Sequence, residues 1–243
     1  MKEGAPVFKR PAGLTEIRTI YCPGCGHGIV HRLIAEVLEE MDLLPKSIAV
    51  VGTGCSGAAY DYFNMDAIHS AHGRAPAVAS GVRRVRPDSV IFVYQGDGDI
   101  AAIGLGETVH AALRGENFTV VFANNALYGM TGGQAAPTTF EGITAKTPSN
   151  KFPLRLCEML TAVDSVAYLA RGSVHDPKSI LATKEYIRKA FQTQLSGGYS
   201  MVEVLMPCPT NWRMNPVAAM NYLKETMVNF FPLGEFKMAG DNK

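Results

Sequence analysis

The sequence predicts an α/β fold: a parallel sheet with helices on both faces. Three observations predict it. Short apolar runs end in loops rich in glycine and polar residues, and helical patterns lie between those runs. The loops that follow the runs carry the unusual side chains Cys55, Asp97, Asn125 and Cys208. Such alternation selects a parallel sheet covered on both faces. In sheets of this kind, functional groups gather beyond the carboxyl ends of the strands.

The elements follow in order. The first twenty residues, with Pro6 and Pro11, read as extended chain lying across a partner or the domain surface. GIVHRLIAEVLEEM places Ile29, Leu33, Val37 and Leu38 on one helical face, and Pro45 stops that helix. His31, at helical spacing from His27, falls on the surface side. KSIAVVG (46–52) is a short strand, with TGCSG as its loop. Residues 61–74 read as loop, and APAVASGVRRV as a small-residue helix ending near Pro87. SVIFVY (89–94) and FTVVFA (118–123) are strands joined by the helix LGETVHAALRG. Residues 128–152 are rich in Gly, Pro and Thr, and a loop of that length inside a domain is usually functional. SVAYLA (165–170) is a strand. Asp176 caps a helix with Pro177 at its first position and Gly197–Gly198 at its end. Its expected core face is Ile180, Ile187, Phe191 and Leu195. YSMVEVLMP (199–207) is the last strand, followed by PCPTNW and a short C-terminal helix. The expected organisation is one domain over 1–243, with an N-terminal extension and cysteine loop at 1–28 and a C-terminal segment at 207–243.

Composition narrows the function. The chain has 243 residues, of which 47% are apolar, enough to bury a sizeable core. A net charge of +1 argues against a nucleic-acid partner or strong attraction to a membrane surface. No apolar run reaches the length of a membrane helix. MKEGAPVFKRPAG lacks the apolar segment of a secretory signal, so a cytoplasmic location is expected. Five cysteines in such a compartment point to metal or redox chemistry rather than structural disulfides.

The most informative motifs are GDGD at Gly96–Asp99 and NN at Asn124–Asn125. Asp97 and Asn125 lie 28 positions apart, each directly after an apolar run. A strand, loop, helix, strand unit brings two such loops to one end of a parallel sheet. Mg²⁺ takes hard oxygen ligands and commonly keeps phosphate oxygens as partners. One carboxylate and one amide, beside glycines that admit a diphosphate to the backbone, suit that demand. GDG alone is a common turn, and NN alone could be a helix cap. A dinucleotide fold is the main rival, but no G-x-G-x-x-G follows the first strand.

Cys22 and Cys25 form CPGC, Cys55 lies in GCSG and Cys208 in PCPT. A redox dithiol, a zinc site and an iron–sulfur cluster are all open to such residues. No clear strand precedes CPGC, as a thioredoxin-type motif would require. The four residues come from three distant segments, not from two compact knuckles, and their loops converge on the edge that carries Asp97. That favours a cluster passing electrons. Cys157, in the apolar stretch RLCEML, reads as a buried structural thiol.

YCPGCGHG, GCS, HGRAPAVASG, QGDGD, NNALYGMTGGQ and PCPTNW, in this order, closely resemble the beta subunit of the 2-oxoacid:ferredoxin oxidoreductases. The resemblance runs from Tyr21 to Trp212. It implies a thiamine-diphosphate-binding fold that also holds one [4Fe–4S] cluster. By that resemblance Cys22, Cys25, Cys55 and Cys208 are the cluster ligands. Asp97, Asn125 and the main-chain carbonyl of Leu127 are the Mg²⁺ ligands, and Gly96 and Gly98 bring backbone to the diphosphate, next to Asp99. The implied reaction is oxidative decarboxylation of a 2-oxoacid with coenzyme A to acyl-CoA and CO₂, the electrons passing through the cluster to ferredoxin.

The resemblance also implies what lies on other chains. The glutamate that activates the aminopyrimidine ring belongs to an alpha subunit. Onward electron transfer belongs to gamma or ferredoxin-like delta subunits, or to ferredoxin itself. His72 and Arg74 are candidates for the substrate carboxylate, since Arg can bind one bidentately. His27 follows the cysteine loop and is a candidate cofactor or cluster contact. Thr131 and Gln134, in TGGQ, are candidate pocket residues, and Met130, Gly57 and Ala58 candidate shapers of it. With no Lys or Arg just after GCS, the pocket leans toward an aliphatic substrate such as 2-oxoisovalerate, with 2-oxoglutarate open. The alternatives are a non-oxidative thiamine-dependent decarboxylase subunit with zinc at the cysteines, and a non-catalytic zinc-stabilised subunit.

Overall fold

Valine, isoleucine and aromatic residues dominate the strands, and both faces of the central strands are buried. A computed structural model describes residues 9–238. The elements, in chain order, are α1 (His27–Glu40), β1 (Ser47–Val51), α2 (Ala59–Tyr62), β2 (Asp66–His69), α3 (Ala75–Val85), β3 (Val90–Gly96) and α4 (Leu105–Leu113). Then come β4 (Thr119–Asn124), β5 (Leu127–Tyr128), β6 (Gln134–Ala135), α5 (Leu156–Leu160), β7 (Val166–Ser173), α6 (Pro177–Leu195) and β8 (Tyr199–Leu205). The chain continues through α7 (Pro209–Trp212), α8 (Pro216–Tyr222), α9 (Val228–Phe230) and β9 (Gly234–Lys237).

Seven strands form one sheet in the order β2-β1-β3-β4-β8-β7-β9. Every pairing is parallel except β7 with β9. Alternate residues feed two cores. Ala49, Val51, Phe92 and Tyr94 pack with α1, α6 and the C-terminal helices. Ile48, Val50, Ile91 and Val93 pack with α3, α4 and α5. The predicted parallel α/β architecture is therefore present, with helices on both faces.

Register positions the site. Val51 pairs with Tyr94, Gly96 with Ala123, and Asn124 with Leu205. The loops leaving β1, β3, β4 and β8 therefore start side by side on one edge.

Several expectations need correction. Residues 61–74 contain β2, an edge strand exposed at three of its four positions, whose polar composition hides it from a pattern reading. The C-terminal segment adds β9 as an antiparallel edge strand. His31 is buried, not on the surface, because its ring packs against Phe63 and Tyr94. On α6, Leu195 is 51% exposed, while Thr183, Ala190 and Gln194 join Ile187 and Phe191 inside. Two polar residues can face this core because each finds a backbone partner: Thr183 donates to the Ser173 carbonyl at 2.9 Å, and Gln194 to that of Ile91. The Asp176 cap is as predicted, accepting from the Ser179 amide at 2.7 Å. Residues 9–20 lie on this chain's own surface, where the Thr15 amide donates to the Tyr62 carbonyl at 2.9 Å. Pro6 and the ends of the 1–28 and 207–243 segments fall outside the described residues.

A buried charge pair ties β7 to β8. Arg171 is fully buried, and its Nε donates to Glu203 at 2.8 Å while its Nη atoms reach Glu158. Glu203 also accepts from the Asn124 amide at 2.6 Å, next to the motif residue Asn125. Removing one member of a buried pair leaves the other uncompensated. Arg171→Met is expected to cost about 3–5 kcal/mol, read from urea melts. A loss below about 1 kcal/mol would place the pair with ordinary surface bridges.

Candidate active site

Adjacent strand ends bring Asp97 and Asn125 together. The link is a single backbone amide: Leu127 donates to Asp97 Oδ2 at 2.7 Å and to Asn125 Oδ1 at 3.0 Å. Gly98 and Thr138 also donate to the Asp97 carboxylate, at 2.8 and 3.2 Å. These donors are all neutral. Burial therefore dominates, and it pushes the Asp97 carboxyl up to about 7. A cation in contact would restore the charged form. The donor set fits Mg²⁺: one carboxylate, one amide oxygen and the main-chain carbonyl of Leu127, all hard oxygens. A π-type turn over Gly98–Ile103 follows Asp97, a distortion often found at functional sites.

The loop aiming Asn125 is held by residues that sequence reasoning passed over. Asn124 Oδ1 accepts at 2.9 Å from the amide of Ala126, which itself sits at φ 58°. The Asn124 side-chain amide in turn donates to Glu203, which Arg171 holds in place. The doubled asparagine thus has divided duties: the first supports the turn and the second faces the cavity. The signal was in the NN pair, but its partners lie on β7 and β8, far along the chain.

One cavity is lined by His27, Thr53, Ser56, Asp97, Asn125 and Tyr128, together with the Gly54, Gly96 and Gly98 backbone. Ser56 accepts from the Gly96 amide at 3.2 Å. Gly98 admits the Tyr128 ring, which a Cβ at that position would meet at 2.2 Å. Tyr128, not singled out from the sequence, therefore stands over the cradle that Gly98 was expected to leave open.

The four predicted cysteines do meet. Cys22, Cys25, Cys55 and Cys208 line a second cavity, of about 150 Å³, with Tyr21, Ala58 and Asn211. All are free thiols. Burial pushes Cys25 up to about 12 and Cys55 up to about 11, with neighbouring thiols adding to it. Burial also raises Cys208, opposed by the Asn211 main-chain and side-chain N–H groups. Metal ligation would favour these thiolates. Among the described residues, no three His, Cys, Asp or Glu side chains converge on a point that could hold one metal ion. Four thiols around one cavity are a donor type that both zinc and an iron–sulfur cluster take. Cys157 is apart from them, fully buried in the core.

The two cavities share a wall made of His27, Cys55, Asn125, Gly129 and Met130. His27 is buried and shares a 2.5 Å hydrogen bond with the Tyr94 hydroxyl. Its ring stacks on Tyr21 at 4.8 Å. Burial pulls its pKa down to about 3, which keeps the ring neutral at physiological pH.

The remaining candidates separate. Asp99 lines the first cavity, but its oxygens accept from His72, the Gly73 and Thr53 amides, and Gln95. It ties three loops together. His72 lines the same cavity, oriented by that bond. Arg74 pairs with Glu107 at 2.5 Å and is absent from both linings. Thr131 lines the first cavity and donates to Gln134 at 2.6 Å, while Gln134 itself is not among the lining residues. Gly57 is packed inward, where a Cβ would meet the Gly52 carbonyl at 2.7 Å. Ala58 faces the cysteine cavity and Met130 faces both.

Residues 52–204 match the family described as thiamine pyrophosphate enzyme, C-terminal TPP binding domain. The chain is 44% identical over 239 residues to the ketoisovalerate oxidoreductase subunit VorA of Methanothermobacter thermautotrophicus, covering 95% of this chain and 50% of that protein. It thus spans about half the length of the first curated relatives it matches. It is 37% identical over 211 residues to the 2-oxoglutarate synthase subunit KorB of Archaeoglobus fulgidus, covering 85% of this chain and 76% of that one. A solved 2-oxoglutarate:ferredoxin oxidoreductase from Magnetococcus marinus, with 2-oxoglutarate, coenzyme A and succinyl-CoA bound, superposes with a TM-score of 0.79. That match has 28% identity and covers 96% of this chain and 86% of the other. These relationships make the chain a member of the 2-oxoacid:ferredoxin oxidoreductase family, of the thiamine-diphosphate-binding beta-subunit type.

Proposed function

We propose that this chain is the catalytic beta subunit of a 2-oxoacid:ferredoxin oxidoreductase. It would convert a 2-oxoacid and coenzyme A to acyl-CoA and CO₂, with electrons leaving through a [4Fe–4S] cluster to ferredoxin. The observation that carries this reading is the shared wall. Cys55, Asn125 and Gly129 each face both the oxygen-ligand cavity and the thiol cavity. A decarboxylase that releases an aldehyde needs no thiol cavity beside its cofactor.

When bound, thiamine diphosphate supplies a nucleophilic carbon and an electron sink, and the cluster accepts electrons singly. This chain's residues bind and orient. Asp97, Asn125 and the Leu127 carbonyl hold Mg²⁺, and through it the diphosphate. Thr53, Ser56 and the Gly96 backbone line its cradle, with Tyr128 as the cover. Asp99 fixes His72 toward the cavity, where a neighbouring substrate carboxylate would find it. Arg74, engaged with Glu107, is a support for this loop. Neutral His27 separates the two cavities without adding charge.

Met130 offers an apolar surface to the oxygen-ligand cavity, which favours a branched-chain 2-oxoacid such as 2-oxoisovalerate over 2-oxoglutarate. The identity of 44% to a ketoisovalerate subunit, against 37% to a 2-oxoglutarate subunit, supports the same choice. The site takes its aminopyrimidine-side glutamate from an alpha subunit, and gamma or ferredoxin-like subunits complete the assembly. The five free thiols accord with a reducing cytoplasm. Among the described residues no helix is long and apolar enough to cross a membrane.

Asp97→Ala is expected to weaken Mg²⁺-dependent thiamine diphosphate binding by more than the roughly 10–100-fold typical of losing a supporting bond. Unchanged cofactor content after desalting would refute the ligand role. Anaerobic preparations with the natural partner chains are expected to be brown, with about four irons per chain. Cys55→Ala should lower that iron content and ferredoxin reduction together. A colourless protein with one zinc would instead support the decarboxylase reading.

A further inference from the structure

We propose that Asn211 is a positioning residue that raises the reduction potential of the cluster held by the four cysteines, an inference that rests on the cluster reading above. Its side-chain amide nitrogen donates to Cys208 Sγ at 3.3 Å and to the Gly129 carbonyl at 2.9 Å. A ligating sulfur and a carbonyl oxygen can only accept, so the amide group presents its nitrogen to both.

The surroundings are shaped for this bond. Glycine at position 133 leaves room for Asn211, whose Cβ a side chain there would meet at 3.2 Å. Glycine at position 129 lets its peptide sit between the cavities. Cys55 Sγ and Asn125 Nδ2 lie 3.4 and 3.6 Å from where a Cβ would stand at that position, which puts residue 129 in contact range of both cavities' side chains. The next residue, Trp212, donates from its indole to the Asn125 carbonyl at 3.2 Å. PCPTNW thus grips the magnesium-side loop with two consecutive residues, and one of them also reaches a cluster sulfur.

The direction follows from electrostatics. Reduction adds negative charge to the cluster and its sulfurs. An N–H donated to a sulfur is stronger to the more negative state, so it stabilises the reduced form. Without it, the cluster becomes harder to reduce. A merely structural asparagine would leave the potential where it is.

The test uses the anaerobic holoenzyme with its natural partner chains. Reductive titrations followed by electron paramagnetic resonance compare wild type, Asn211→Leu and Asn211→Ser. Asn211→Leu is expected to keep about four irons per chain. Its oxidised-to-reduced ratio at fixed poise should rise about tenfold, equal to a fall of about 59 mV for a one-electron couple. Asn211→Ser, which keeps a hydroxyl donor, should fall less. Full iron with an unchanged potential overturns the proposal. If the Leu variant alone loses iron, the Ser variant decides: a lowered potential supports the proposal and an unchanged one overturns it. Loss of iron from both variants, with wild type loaded, makes Asn211 a holder of the cluster and overturns the tuning role. A wild-type holoenzyme without iron overturns the cluster reading itself, and this inference with it.

Discussion

Parallel pairing of β3 with β4 is the constraint on which the site depends. Gly96 stands opposite Ala123, so the chain leaves both strands at the same height. Asp97 and Asn125 then come within reach of one amide, that of Leu127. A slip of one residue would turn every side chain to the opposite face and take one of the two oxygens away. The same edge receives Cys55 from β1 and Cys208 from β8. Only Cys22 and Cys25 arrive from outside the sheet, on the loop that enters α1.

Gathering these groups has a physical cost that the surroundings partly offset. Asp97, Cys25 and Cys55 are all driven toward their neutral forms by burial. None has a cationic side chain among the groups that shift it. Metal ions at these groups would reverse that balance. His27 and His31 fit the same logic. Both are buried and kept neutral, and His27 adds no competing positive charge to the wall between the cavities.

Support for Asn125 comes from deep in the sheet. Arg171 and Glu203, both fully buried, anchor Asn124, and Asn124 holds the turn that aims Asn125. A buried ion pair contributes little net stability compared with apolar residues of similar size. Its value here is directional, since it fixes the end of β4. On the opposite side, Asn211 and Trp212 grip the same loop from the cysteine-bearing segment. The loop at 125–129 is thus held between a charge pair beneath the sheet edge and the motif that carries Cys208.

The sequence by itself determined the strand–helix alternation, the parallel sheet and the loops that bear chemistry. Apolar runs, glycines and the Asp176 cap are local signals, and the GDGD, NN and cysteine motifs lie at run ends where topology gathers them. Tertiary structure decided what depends on contacts between distant segments. β2 and β9 are polar or short edge strands, defined by the neighbours they pair with. His31, Gln194 and Thr183 are polar residues whose burial depends on partners elsewhere in the chain. Arg74 was drawn to Glu107, Asp99 became a tie between loops, and Tyr128 came to rest on Gly98. The reason is common to all of them: periodicity reports which face of an element is apolar, while a polar side chain's position is set by the partner that satisfies it, and that partner is known only once the chain has folded.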